Sequence, residues 1–248
     1  MTLYLISFRP DFTRLMALAA REKLLPPGGD LGYALHAVMA ASFGDLEPKP
    51  FRAFRPGEPG GGPSGRLLAY SSAPLEALRA HATTFADPAF SAPLQLDSAE
   101  ERPMPSGFAA GSRLGFNLRL RPVQRTGASS DGRERARERD VYSGSATDDE
   151  PGRLGRVRAY TAWLDRQLGH DRAAHLLTAE VDRLCRTGLF ARNRSGQGNR
   201  NRMVDGPDIT LSGVLSVVDS AAFDALLARG VGRFRAFGFG MLLLRPPD

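Results

Sequence analysis

Gly230-Val231-Gly232-Arg233-Phe234-Arg235-Ala236-Phe237-Gly238-Phe239-Gly240 runs directly into Met241-Leu242-Leu243-Leu244, and Pro246 ends the apolar run. Glycines at i, i+2, i+8 and i+10 let the backbone bend tightly and leave its N–H groups open to the approach of another backbone. Arg233 and Arg235, with three phenylalanines beside them, suggest that the approaching backbone is a phosphodiester. A dinucleotide-binding loop is set aside, because such a loop opens a helix near the start of a domain. This loop opens what reads as a buried strand.

The helix before the loop and the strand before that helix extend the pattern outward. Residues 220–229 read as a helix capped by Asp219 or Ser220, and residues 209–218 as a long strand. Residues 113–123 alternate, with Leu114, Phe116, Leu118 and Leu120 on one face and Arg113, Asn117, Arg119 and Arg121 near or on the other. Two helices are expected at 157–168 and 171–186, and a hydrophilic, arginine-rich insertion at 125–152. In the first half, residues 2–8 read as a strand, 31–43 as a helix, 48–65 as a loop, 66–71 as a strand and 73–83 as a helix. A weaker extended stretch begins at 95–97. The order predicts an α+β protein of two ferredoxin-like (RRM-like) βαββαβ units in tandem. Residues 1–105 form the first, 106–111 a linker, and 112–248 the second. The aromatic signature of an RNA-recognition motif is missing.

Composition narrows the partner. The chain has 248 residues, 42% hydrophobic and 24% charged, which suits a soluble protein with a real core. No apolar run is long enough to span a membrane, and the N-terminus reads as a strand rather than a leader. The single cysteine, Cys185, precludes an intramolecular disulfide and a cysteine-based zinc site, and a cytoplasmic setting is expected. Net charge is +6, which favours a polyanion. Lysine stands only at Lys23 and Lys49, so 31 of the 33 basic residues are arginine. Arginine grips phosphate bidentately and stacks on bases, but a GC-rich genome produces the same bias. Where the arginines cluster is therefore the better guide. They cluster in the glycine loop, on the strand at Arg119 and Arg121, in the tract from Arg192 through Arg194 and Arg200 to Arg202, and in the alternating run 133–139.

Several of these segments, in order, carry a resemblance. The pattern Gly-x-Gly-x5-Gly-x-Gly before an apolar strand resembles the glycine-rich loop of CRISPR-associated repeat endoribonucleases, closest to the CasE branch of type I-E systems. Tyr33-Ala34-Leu35-His36 matches the Tyr-x-x-His pair that the family carries on its first helix. The segment Ala162-Trp163-Leu164 and the strand Gly115 to Val123 are weaker matches. The family follows its histidine with a basic side chain where Ala41 and Ser42 stand here. An arginine-dense insertion is shared with a related type IV crRNA-processing subunit.

The resemblance implies metal-independent cleavage of precursor crRNA at the 3′ base of a repeat hairpin, leaving a 2′,3′-cyclic phosphate and a 5′-hydroxyl. It also implies retention of the product beside other Cas subunits. Tyr33 and His36 fall on one helix face and are the catalytic candidates, against the alternative that they line a helix–sheet contact. Arg233, Arg235, Gly232 and Gly238 are expected to meet RNA in the loop, and Arg119 and Arg121 on the strand. Arg192, Arg194, Arg200 and Arg202 would do so in a hairpin. No His, Cys, Asp and Glu cluster has metal-ligand spacing, so no metal or other cofactor is expected. Rival readings are a catalytically silent repeat-binding subunit and a general basic RNA-binding module.

Overall fold

The computed structural model describes residues 2–26, 30–125, 138–142, 152–192 and 201–247. The first half supplies β1 (Tyr4–Phe8), α1 (Phe12–Arg21), α2 (Gly32–Phe43), β2 (Phe51–Phe54), β3 (Arg66–Ser71), α3 (Leu75–Phe85), the short α4 (Pro88–Ser91) and β4 (Glu100–Pro103). The second half supplies β5 (Arg113–Leu120), β6 (Val123–Arg125), β7 (Glu138–Asp140), α5 (Arg153–Gly169), β8 (Ala174–Arg192), β9 (Asn201–Val217), α6 (Ser220–Arg229) and β10 (Leu243–Arg245). Two four-stranded antiparallel sheets result, ordered β2-β3-β1-β4 and β10-β5-β9-β8, with β6 and β7 paired separately. In both, the main strands run second, third, first, fourth, which is consistent with a duplicated ferredoxin-like arrangement.

Alternation decides which face of each sheet meets its helices. Ile6 and Phe8 of β1, Phe51 of β2 and Leu67 and Ala69 of β3 pack under Leu35, Val38, Met39 and Phe43 of α2. Their neighbours in register point the other way. Arg52 lies opposite Leu68, and Leu5 opposite Tyr70. That second face packs on the second half of the chain, where Phe54, Leu68 and Tyr70 cluster with Met241. The Tyr70 hydroxyl donates to the Leu242 carbonyl at 2.7 Å. The two sheets thus face each other with their helices outside.

Three expectations are corrected. Residues 171–186 are not a helix, because β8 begins at Ala174 and pairs along its length with β9. Register shifts fall between Leu176 and Thr178 and between Val181 and Arg183, so Leu177 and Asp182 are bulged residues. Each bulge stretches the two-residue spacing to three. The residues opposite Leu215, Gly213, Leu211 and Ile209 are therefore Leu176, Ala179, Val181 and Leu184. That spacing imitates a helical stripe. The supposed loop 48–65 contains β2, and the extended stretch is displaced, with a 3-10 turn at Leu96–Ser98 and the strand at Glu100–Pro103. α1 has no counterpart among the expected elements, although the Asp11 carboxylate accepts from Arg14 N–H at its start and Leu15, Leu18 and Ala19 form its buried stripe.

Candidate active site

α2 is anchored against the glycine-rich loop. A Cβ on Gly32 would stand 2.3 Å from the Phe237 carbonyl oxygen, so only glycine lets the helix start approach the loop this closely. The Asp30 carboxylate accepts from Gly32 N–H at 2.8 Å and holds that start. The loop closes on itself: Val231 N–H donates to the Gly240 carbonyl, and Gly240 N–H to the Arg119 carbonyl, each at 2.8 Å. Gly240 has φ +78, and a Cβ there would lie 2.3 Å from the Val231 oxygen. Gly232 and Gly238, the two proposed RNA contacts, also have positive φ, and their bare Cα atoms face the rings of Trp163 and Phe51.

Tyr33 and His36 both meet the loop through Phe237. The Tyr33 ring stacks on Phe237 with centroids 6.1 Å apart and meets Phe190 of β8 edge-on at 5.7 Å. The His36 ring meets Phe237 edge-on at 5.2 Å. Its Nδ1 lies 2.6 Å from Oε1 of Glu47, whose side chain is only 5% exposed, while His36 itself is 30% exposed. An ionised carboxylate only accepts, so Nδ1 carries the proton. The neutral ring then has its lone pair on Nε2. Lys49 stands 3.4 Å from the other Glu47 oxygen.

Glu47 is a residue that sequence reading missed. It lies outside α2, beyond Gly44 and the 3-10 turn Gly44–Leu46. Helical spacing carries no signal for a partner that returns after a chain reversal. Lys49 is a basic side chain near the histidine, reached from beyond the helix rather than from the positions of Ala41 and Ser42.

The arginines divide into clamps and exposed groups. Arg119 does not face outward. Its Nε and Nη2 donate to both Asp208 oxygens at 2.9 and 2.6 Å, and Nη2 also donates to Asp30 at 2.9 Å. Its guanidinium lies 4.2 Å from the Phe239 ring centre. Burial works against the Arg119 charge, but the Asp208 and Asp30 bonds and charges outweigh it and raise its pKa. Burial likewise opposes ionisation of Asp208, yet Arg119 and the Thr187 hydroxyl hold its pKa below the usual carboxylate range.

Arg121 is 1% exposed and donates to the carbonyls of Thr187 and Val204 at 2.9 and 2.7 Å. It thereby ties β8 to β9 beneath Phe234 of the loop. Burial lowers its pKa. The alternation of β5 did place Asn117, Arg119 and Arg121 opposite the helices. The facing sheet and the loop cover that side, and there Arg119 and Arg121 join site elements together.

Arg233 is exposed and bonds Glu138 of β7 at 2.6 and 2.8 Å. Arg235 donates to the Arg229 carbonyl at 2.8 Å, and burial followed by the charges of Arg229 and Arg233 lowers its pKa. Both line a cavity of about 650 Å3 with Lys49, Phe234 and Phe237. Arg192 and Arg202 occupy the ends of β8 and β9, where Arg192 pairs in register with Asn201 and Ala191 with Arg202. Arg194 and Arg200 lie outside the described residues, as do residues 126–137 of the insertion.

The remaining histidines lie apart from the pair. His81 Nδ1 is 3.1 Å from the Ser42 carbonyl, His170 pairs with Asp171 at 2.9 Å, and His175 is on β8 rather than on a helix. Among the described residues no group of three or more His, Cys, Asp or Glu is placed to hold a metal ion, and no helix is long and apolar enough to cross a membrane.

Two four-stranded antiparallel sheets of like strand order, with helices packed on them, give a mixed α+β fold consistent with duplicated ferredoxin-like domains. The model of the CRISPR associated protein family matches residues 3–246, and the chain belongs to that family. Among solved structures, it is similar to Thermus thermophilus Cse3 bound to an RNA representing a pre-cleavage complex. That likeness has a TM-score of 0.60 and 20% identity over 99% of this chain and 100% of the other. Cas6e from Escherichia coli K-12 matches with a TM-score of 0.54 and 19% identity over 99% and 100%. A chain of a CRISPR RNA-guided surveillance complex, pre-nicking, matches at 0.54 and 17% over 98% and 99%. At these identities the likeness is one of fold. No curated protein is a significant match to the sequence.

Proposed function

We propose that this chain is a metal-independent endoribonuclease that binds a repeat hairpin and cuts precursor crRNA at the 3′ base of the stem. The observation that carries the reading is the His36–Glu47 pair, fixed at 2.6 Å beside the glycine loop of a CRISPR-associated protein. In the step we infer, the 2′-oxygen upstream of the cut attacks phosphorus in line. A new O2′–P bond forms and the P–O5′ bond breaks. One proton leaves the 2′-hydroxyl and one arrives on the departing 5′-oxygen. The products are a 2′,3′-cyclic phosphate and a 5′-hydroxyl.

With Nδ1–H engaged by Glu47, the Nε2 lone pair accepts the 2′-hydroxyl proton, and Glu47 stabilises the imidazolium that forms. The Tyr33 phenol orients the hydroxyl or the phosphate. Arg233, Arg235 and Lys49 stand around the developing phosphorane charge. In this reading Arg192, Arg194, Arg200 and Arg202 contact the RNA. Arg119 and Arg121 act through the geometry that they hold. The product remains bound as part of an effector complex, in keeping with the likeness to a chain of an RNA-guided surveillance complex.

The test is cleavage of the cognate repeat RNA in excess EDTA by wild type and by His36→Ala. Cutting by wild type alone, with hairpin affinity retained in the variant and the rate down by roughly two to four decades, is the expected result. Equal cutting by both would move the chemistry onto arginines and favour the type IV relative. Binding without cutting by either would leave a silent repeat-binding subunit.

A further inference from the structure

Between the facing sheets lie two adjacent cavities, of about 250 and 660 Å3, which share Arg52, Glu58 and Arg183. The smaller runs to the start of α2 and to Phe237 and Gly238 of the glycine loop. The larger has Phe54 and Leu243 as apolar lining and Asn117, Asp182 and Thr210 as polar lining. Phe237 also borders the cavity on the far side of the loop, so a strand lying along the loop has a path from one to the other.

The acids of this trough are already engaged. Asp30 accepts from Arg119, Glu58 accepts from Arg55 N–H, and Asp182 accepts from Asn117 and Ser212. Arg52 lies among the charges of Asp208 and Glu58. It is 9% exposed, its guanidinium lies 4.9 Å from the Phe54 ring centre, and its Nε has no hydrogen-bond partner among the described residues. Burial, and then the charge of Arg119, pulls its pKa down to about 10. From the opposite sheet the buried Thr210 hydroxyl is likewise without a partner among the described residues. A buried guanidinium Nε and a buried hydroxyl, each without a hydrogen-bond partner among the described residues, on facing walls of one trough, indicate a missing polar ligand.

We infer that the trough is a nucleotide subsite. It takes one unpaired ribonucleotide of the RNA strand beyond the hairpin, with the phosphate on Arg52 and Arg183 and the base against Phe54 within reach of Thr210. The inference rests on the proposed RNA substrate. It adds a second contact, distinct from the cutting site, that would read the single-stranded flank of the repeat. Arginine is suited to the phosphate because its fork meets two oxygens, and an aromatic wall accepts any base.

The experiment compares binding of a bare hairpin with hairpins extended on either side by about three unpaired nucleotides, all carrying a 2′-deoxy residue at the cut. Wild type should bind one extended RNA about fivefold or more tighter than the bare hairpin, and Arg52→Gln should abolish that gain while leaving bare-hairpin affinity intact. The salt dependence of the extended RNA should fall by about 0.7 in log–log slope in the variant. Thr210→Val, which removes the unpartnered hydroxyl at nearly constant volume, should reduce the gain without lowering the melting temperature.

An extension that adds nothing in wild type, or adds equally in Arg52→Gln, overturns the inference. So does a titration in which adenosine monophosphate binds wild type through Arg52 while the extension has no Arg52-dependent effect, since the ligand is then a free nucleotide. Cleavage of the all-ribose bare hairpin, read in parallel, reports on the nuclease separately. A protein that gains affinity through Arg52 but cuts nothing keeps this site and loses that reading.

Discussion

Replacing Glu47 by Gln keeps the shape of the pair with His36 and removes its charge. The carboxylate oxygen is 2.6 Å from Nδ1 and its side chain is 5% exposed, so water screens the pair weakly. Unit charges about 4 Å apart at an effective dielectric near 20 interact by about 4 kcal/mol, which sets an upper bound. The difference between a charge-assisted and a neutral hydrogen bond, about 1–2 kcal/mol, sets the lower one. The imidazole is charged only after it has taken the proton, so the loss falls on the transition state and not on the bound ground state. Single-turnover cleavage in EDTA should therefore slow by about one to three decades in Glu47→Gln, with hairpin Kd unchanged. Glu47→Ala should be slower still, because the ring also loses its orientation, and His36→Ala gives the floor. If Glu47→Gln cuts within about twofold of wild type while His36→Ala is inactive, the carboxylate only anchors the chain reversal and the argument fails. If rate and affinity fall together, Glu47 is structural.

Arg233→Ala should weaken both hairpin binding and cleavage and lower the log–log salt slope by about 1, read by anisotropy at several ionic strengths; an unchanged slope would remove Arg233 from the phosphate contacts. Asp208→Asn should cost about 2–4 kcal/mol at neutral pH in urea melts, because Arg119 keeps only Asp30 as a charged partner. Since the folded pKa of Asp208 is depressed, its contribution is full above about pH 4 and is lost as pH falls through the folded value, so the gap to wild type should close in acid. Gly240→Ala forces a side chain into φ +78 and against the Val231 oxygen, and should lower stability by about 2–4 kcal/mol in thermal melts. No change there would mean that the loop opens freely.

Local rules made much of the fold legible. The stripe 31, 35, 38, 39 and 43 marked α2 because those residues fall on one side of a 3.6-residue helix and lie buried there. Alternation marked β5, and the Asp219 cap marked α6, where its carboxylate accepts from Ala222 N–H at 2.8 Å. β8 was misread because two bulges convert a two-residue spacing into one that imitates a helix, and bulges are set by the partner strand. β2 was hidden within a proline- and glycine-rich tract, having only four residues and drawing its order from β3.

The sequence by itself determined what is local or additive. The positive charge, the arginine clusters, the Tyr33–His36 pair on one helix face and the glycine spacing of the loop all follow from residue identity and helical or extended geometry. Tertiary structure alone decided the environments. It brought Glu47 back under His36 after a chain reversal and set Phe237 against both candidate side chains. It also covered the arginine face of β5 with a second sheet, turning Arg119 and Arg121 from exposed cations into buried clamps. It left Arg52 buried with no hydrogen-bond partner for its Nε among the described residues. The physical reason is range: propensity and periodicity act over a few residues, whereas burial and charge pairing depend on groups far apart in sequence, such as Arg119 and Asp208.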